Sequence, residues 1–272
     1  MWEQDVRILL RILMCIFVCF VTISSMRFAT AHAGFNDMLG WLYTGSFRML
    51  GYEPRALQLQ SLRFQVAQLA GRQPFFAIVG DSNTVRAPRL LEAVCGRQVL
   101  FLGLSGATVA TVNKDVLPIL DMASADGIIL AIGTNNAYRT MPGQRSNLLA
   151  AFENHYRQTI DTALQIGGRV AILAIPPIEK NKLADELVYD LVLIDDYNAT
   201  LSRLALENPA VTFLPNLARH NDEAVTGSTI DGEHLSTKGY GFWREAIDHS
   251  WRHLDPACRL PPSRIAETGT KP

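Results

Sequence analysis

The sequence predicts an α/β domain whose parallel sheet is covered by helices on both faces. Three observations carry that reading. Short apolar runs alternate with stretches of helical spacing between residues 75 and 254, the order that builds parallel strands joined by crossover helices. The run at residues 127–132 has no polar interruption, as a strand buried on both faces requires. Polar clusters containing glycine follow several of the runs, at the carboxyl ends where open parallel sheets bind ligands.

Taken in order, the elements begin with a helix. Leu59, Leu62, Val66 and Leu69 recur at helical spacing and Gly71 supplies the stop, so residues 56–70 are expected to be an amphipathic helix. The stretch before it carries Phe35, Leu39, Trp41, Leu42, Phe47 and Leu50 and reads as further helix, making residues 34–73 a helical leader. Strands are expected at residues 75–79, 99–102, 127–132, 170–175 and 211–214, five in all. Between them, helices are expected at residues 88–95, 109–122, 148–165 and 184–206, with a closing helix at 237–254. Pro88 suits a first helical turn, and Gly167-Gly168 and Pro176-Pro177 are stops. One domain, residues 74–258, is the expectation, followed by a polar tail over 259–272 that lacks the apolar residues to order itself.

The amino terminus has its own pattern. Arg7 and Arg11 precede an apolar stretch over residues 12–23, and Ala31-His32-Ala33 forms a small-x-small site before Gly34. These are the parts of a secretory signal. Two readings of residues 1–33 stand: a cleaved signal, or an uncleaved membrane anchor. The stretch is shorter than the ~20 residues that span a bilayer, which favours cleavage. Both readings export the domain to the periplasm or beyond. Cys15 and Cys19 belong to the apolar stretch, leaving Cys95 and Cys258 in an oxidising compartment.

Composition narrows the classes further. With 48% hydrophobic and 19% charged residues, the chain can bury a core and is not of disordered type. Its net charge is −1 and its Lys and Arg residues form no run, so nucleic acid is not expected as a partner.

Four polar clusters carry the chemistry: Gly80-Asp81-Ser82-Asn83, Gly103-Leu104-Ser105-Gly106, Gly133-Thr134-Asn135-Asn136 and Asp231-Gly232-Glu233-His234. Gly80 is expected to let the backbone turn sharply and present Ser82 above the sheet. A serine hydroxyl becomes a nucleophile only when a base takes its proton, and His234 is the candidate base. Asp231, three residues earlier, can orient that imidazole. Backbone N–H groups of Ser82 and Gly106 and the side-chain amide of Asn135 are candidate donors to an oxyanion. Each cluster alone reads more readily as a turn or cap than as a site. Their order, each at a strand end, is what points to an active site.

The pattern resembles the SGNH hydrolases, the GDSL-like esterase superfamily, over about residues 75–254. Ser82, Gly106, Asn135 and His234 match its four blocks, with Asp231 and His234 in the D-x-x-H arrangement. The resemblance implies a flavodoxin-like three-layer α/β/α fold with a five-stranded parallel sheet, no cofactor and no metal, and ester hydrolysis through an acyl-serine. Two positions depart from the pattern: Asn83 stands where the family name has Leu, and Asn136 where many members carry Asp. The absence of G-x-S-x-G around Ser82 argues against the α/β-hydrolase family. In a flavodoxin-like order the first and last helices share a face. A first helix ending at Cys95 would then bring it near Cys258, as a disulfide or as two separate thiols.

Other polar residues rank lower. His32 lies at the cleavage site, and His155, His249 and His253 sit in helical runs. His220 is a distant rival to His234, Glu233 reads as solvated, and Arg139 and Arg145 could meet an anionic substrate group. Three functional readings are open. The first is an esterase acting on short-acyl esters of an envelope or extracellular glycan or lipid. The others are an acyltransferase to a glycan using the same residues, and a silent binding module that kept the fold. The intact Ser82, Asp231 and His234 favour the enzymes.

Overall fold

The computed structural model describes residues 54–69, 75–87, 93–94, 97–123, 125–138, 143–184, 188–215, 218–220 and 223–254. The signal or anchor at 1–33, residues 34–53 and 70–73 of the leader expected over 34–73, Cys95, Cys258, Arg139 and the tail at 259–272 lie outside the described residues. The chain divides into two units, Met1–Leu57 and Gln58–Pro272. Of the first, only residues 54–57 are described, the opening of helix α1 (Pro54–Leu69). The second holds the sheet.

Five strands form the parallel core of the sheet: β1 (Phe75–Gly80), β3 (Arg97–Gly103), β4 (Gly127–Ala131), β5 (Val170–Leu173) and β6 (Val211–Leu214). Their order is β3-β1-β4-β5-β6, so the chain starts inside the sheet, winds one way to β3 and then the other. The reversal beside β1 leaves a crevice above its carboxyl end. A two-residue strand, β2 (Ala93–Val94), adds antiparallel to β3. The helix expected over 88–95 does not extend through Ala93 and Val94, which pair with Gln98 and Arg97 instead; residues 88–92 and 95 of that expectation lie outside the described residues.

Burial follows the strand period. Phe75, Ala77, Val79, Ile128, Leu130, Val170 and Ile172 face one side, and Phe76, Ile78, Ile129, Ala131, Ala171 and Leu173 face the other. Both sides are closed, which is why these strands are apolar throughout. The first side is covered by α1, by α3 (Val109–Thr111) and α4 (Leu117–Leu120), by α5 (Arg145–Gly167) and by α6 (Leu191–Leu206). The second is covered by α7 (Thr237–Leu254) through Tyr240, Trp243, Ala246 and Ile247. Fully burying such a side chain contributes roughly 1.5–3 kcal/mol, so the two faces supply most of the driving force.

Local chemistry sets the helix bounds. Thr108 caps α3, its hydroxyl accepting from Thr111 N. A π-helical stretch (Val112–Val116) joins α3 to α4, whose second residue is Pro118, a residue with no N–H to continue the regular ladder. α5 ends where Gly168 takes a left-handed φ of 66°. α6 starts at Leu191, seven residues later than the apolar spacing suggested. Asp190 caps it by accepting from Leu193 N at 3.0 Å, and Tyr189 is held instead in a bridge with Tyr138. A small hairpin of β7 (Arg219–His220) and β8 (Glu223–Ala224) was not legible in the sequence. No helix among the described residues is long and apolar enough to cross a membrane.

Candidate active site

β1 delivers Ser82 to the crevice. Gly80 stays in the strand with no positive φ, so it does not supply the sharp turn expected of it. Its role is close approach: a Cβ there would lie 2.2 Å from Ala131 O and 2.2 Å from Thr84 Oγ1. Helix α2 (Ser82–Arg86) follows at once, capped by Asp81, whose Oδ1 accepts from Asn83 N at 3.0 Å. Ser82 therefore sits at the first helical position, half-buried.

The loop before α7 brings the base to it. His234 Nε2 lies 3.0 Å from Ser82 Oγ, across 152 positions of sequence. On the other side of the ring, Nδ1 lies 2.8 Å from Asp231 Oδ2. Asp231 folds back fully: its Oδ1 also accepts from His234 N at 2.8 Å and from Glu233 N at 3.2 Å. Burial works to raise the Asp231 carboxyl, but the backbone and ring hydrogen bonds from His234 outweigh it and hold the group below its ordinary value. Asp231 is thus an anion that fixes the ring with Nε2 toward the hydroxyl.

The loop itself is braced from beneath. Gly232 has φ 97°, and a Cβ there would come within 2.8 Å of Glu179 O, so glycine is required for that approach. Glu179 N donates to Gly232 O at 2.9 Å. The buried Glu179 carboxylate accepts from Ser228 N at 2.8 Å and pairs with Lys182, which donates onward to Thr229 O at 2.6 Å. Sequence reading missed Glu179 and Lys182; a 3-10 turn of charged residues carries no periodic signal.

The oxyanion candidates meet at the ends of β3 and β4. Asn135 lies in a 3-10 turn (Thr134–Ala137), and its Nδ2 donates to Ala107 O at 3.0 Å, beside Gly106. Gly106 has φ 69°, a conformation natural to glycine. An amide nitrogen carries two N–H donors, so Asn135 can hold the Gly106 loop with one and offer the other. Asn136 does what a carboxylate there could do: its Oδ1 accepts from Val109 N at 3.1 Å. Its carbonyl accepts from Tyr197 O–H at 3.3 Å.

The lesser candidates fall elsewhere. Arg145 is tied to α6 through Asp196, at 2.7 Å from Nε, and is not set toward a substrate. Glu233 is not simply solvated: it accepts a hydrogen bond from Tyr189, and its Oε1 lies 3.9 Å from His234 Nε2. His220 stands in β7 and His155 in α5. Among the described residues no group of three or more His, Cys, Asp or Glu could hold a metal ion.

A hydroxyl, an imidazole and a carboxylate in series, beside candidate oxyanion donors, form an arrangement suited to acyl transfer. Residues 70–242 match the GDSL-like lipase/acylhydrolase family. The chain belongs to that family. Members of this family of GDSL-like hydrolases split esters, and this protein is an ester-hydrolysing enzyme. Solved structures agree on the fold. A GDSL-like lipase from Bacteroides thetaiotaomicron has 16% identity and a TM-score of 0.54 over 72% of this chain and 98% of that one. A lipase/acylhydrolase from Enterococcus faecalis gives 16% and 0.52 over 71% and 100%. A Streptococcus pneumonia protein provisionally described as a platelet activating factor gives 20% and 0.57 over 72% and 93%. A search of curated proteins returned no match.

Proposed function

We propose that this GDSL-like hydrolase is a serine esterase that cleaves short-acyl carboxylic esters through an acyl-Ser82 intermediate. The observation that carries the reading is the unbroken series Ser82 Oγ, His234, Asp231, at 3.0 and 2.8 Å. His234 Nε2 takes the Ser82 proton as Oγ attacks the carbonyl carbon. The negative charge that develops on the carbonyl oxygen is met by the N–H groups of Ser82, Gly106 and Asn135. Collapse breaks the ester bond, and the His234 imidazolium returns the proton to the leaving alcohol. Water then attacks the acyl-serine with His234 again as base, releasing the acid and restoring Ser82.

The substrate reading rests on export and on the rim. Among the described residues, Val85, Tyr138 and Ile230 are large apolar side chains left exposed. They follow Ser82, follow the Asn135 turn and precede Asp231 respectively, so an apolar acyl or alcohol portion has a surface to meet. With residues 1–33 read as a signal or anchor, the ester belongs to a periplasmic or extracellular glycan or lipid. Hydrolysis of nitrophenyl esters from acetyl to long acyl chains, beside Ser82→Ala, tests the proposal. Activity on the shortest esters, lost by at least about 10³-fold with Ser82→Ala, is the expected result. Folded protein with no activity on any ester, and acyl transfer to an added glycan instead, would overturn it in favour of a transferase.

A further inference from the structure

We propose that Asn83 is a positioning residue that sets the distance between the nucleophile and its base. The proposal rests on the reading of Ser82 and His234 as a catalytic pair. Asn83 follows Ser82 in α2 and is 1% exposed. Its side-chain Oδ1 accepts from Leu235 N at 2.9 Å, and Leu235 follows His234. One amide oxygen therefore binds the residue after the nucleophile to the residue after the base.

One other side chain of α2 reaches the His234 loop, Arg86, but only through an exposed ion pair to Asp231 Oδ2 at 3.9 Å, which salt and solvent screen. The remaining grips do not join the loop to Ser82. Asp231 holds His234 from within the loop, through bonds three residues long. Glu179 and Lys182 anchor residues 228, 229 and 232 to the segment after β5, which does not carry Ser82. Asn83 reaches across 152 positions to the loop itself. Its own backbone is fixed on both sides, with N–H donating to Asp81 Oδ1 at 3.0 Å and carbonyl accepting from Tyr240 O–H at 2.7 Å. Leu235 is 1% exposed, so no water replaces the lost acceptor. A hydrocarbon side chain at position 83 would leave that N–H buried and bare, and the loop would shift to satisfy it. A displacement of about 1 Å at a reacting pair costs on the order of 100-fold in rate.

The test compares Asn83→Leu, Asn83→Asp and Ile247→Val with the parent protein on nitrophenyl acetate. Ile247 is a fully buried residue of α7, so its variant gives the effect of lost packing away from the site. Because Asn83 does not meet substrate, Asn83→Leu should lower kcat by about 30–100-fold with KM within about twofold. It should also slow inactivation by a fluorophosphonate in the same proportion. Asn83→Asp, which keeps an acceptor oxygen in place, should recover most of the rate. If Asn83→Leu does not fold, Asn83→Ser, whose hydroxyl falls short of Leu235, carries the same expectation. A kcat for Asn83→Leu or Asn83→Ser no lower than that of Ile247→Val, with Ser82→Ala inactive, would overturn the positioning role and leave the catalytic pair standing. Activity that survives Ser82→Ala would instead overturn the pair, and the positioning role with it.

Discussion

At the scale of single residues, the site is built on a buried carboxyl that takes no direct part in the proposed chemistry. Asp81 is 2% exposed and caps α2 under Ser82. Burial pushes it from an ordinary 3.8 up to about 7, against hydrogen bonds from Asn83 N and Thr134 that pull it down. The folded state therefore holds this proton more tightly than the unfolded chain. Below pH 3.8 both states are protonated and the group is silent. Between 3.8 and about 7 only the unfolded chain ionises, so stability falls as pH rises through that window. Above it the penalty is complete. Asp81→Asn retains a capping oxygen and removes the titration. Urea unfolding at pH 5 and pH 8 should show the variant gaining on the parent at the higher pH, whereas an equal difference at both would refute the assignment.

Residue chemistry also decides what could be read from sequence. Ser82, Asp231, His234, Gly106 and Asn135 could be singled out because acyl transfer needs those types at strand ends, and the fold places Ser82 by His234, His234 by Asp231 and Asn135 beside Gly106. Asn83 and Asn136 stood out only as departures from a pattern. What they do depends on long-range bonds to Leu235 N and Val109 N. An asparagine beside a turn is so common that its partner cannot be inferred from the chain alone.

At the scale of elements, the misread segments are those where a cap or a pairing overrode apolar spacing. Residues 184–190 have helical spacing, yet Asp190 offers a better start and Tyr189 is held against Tyr138 at a 5.5 Å ring separation. At Ala93 and Val94, antiparallel pairing with Gln98 and Arg97 took the place of the expected helix. The 3-10 turn (Lys180–Lys182) is the clearest case of an element with a task and no sequence period. It holds Lys182 against Glu179, whose side chain is 4% exposed while that of Lys182 is 30% exposed. Lys182→Met should leave a buried carboxylate short of its partner and cost about 1–3 kcal/mol, softened by water reaching the site. Because Glu179 also carries Ser228 N and meets Gly232, kcat should fall more than KM rises. Denaturation midpoint and steady-state kinetics together check this, and an unchanged kcat would separate the brace from the loop it supports.

At the scale of the whole molecule, stability and catalysis are drawn from different layers. The core lies between sheet and helices, whereas the site is made by loops above the strand ends and pinned there by its own hydrogen bonds. Ile129, in β4, is fully buried on the face covered by α7, one strand from the nucleophile and on the same sheet as β1. Ile129→Ala removes three buried carbons and should cost about 2–5 kcal/mol, the range for such core truncations. The strand register that positions Gly80 opposite Ala131 consists of backbone bonds, which the truncation leaves in place. Molecules that remain folded should then turn over ester at the parent rate. Urea titration would show the lower stability with an unchanged slope, and active-site titration would show a smaller fraction of sites with unchanged rate per site. A reduced rate per titrated site would mean that core packing reaches Ser82 through β1 and that the two layers are not independent.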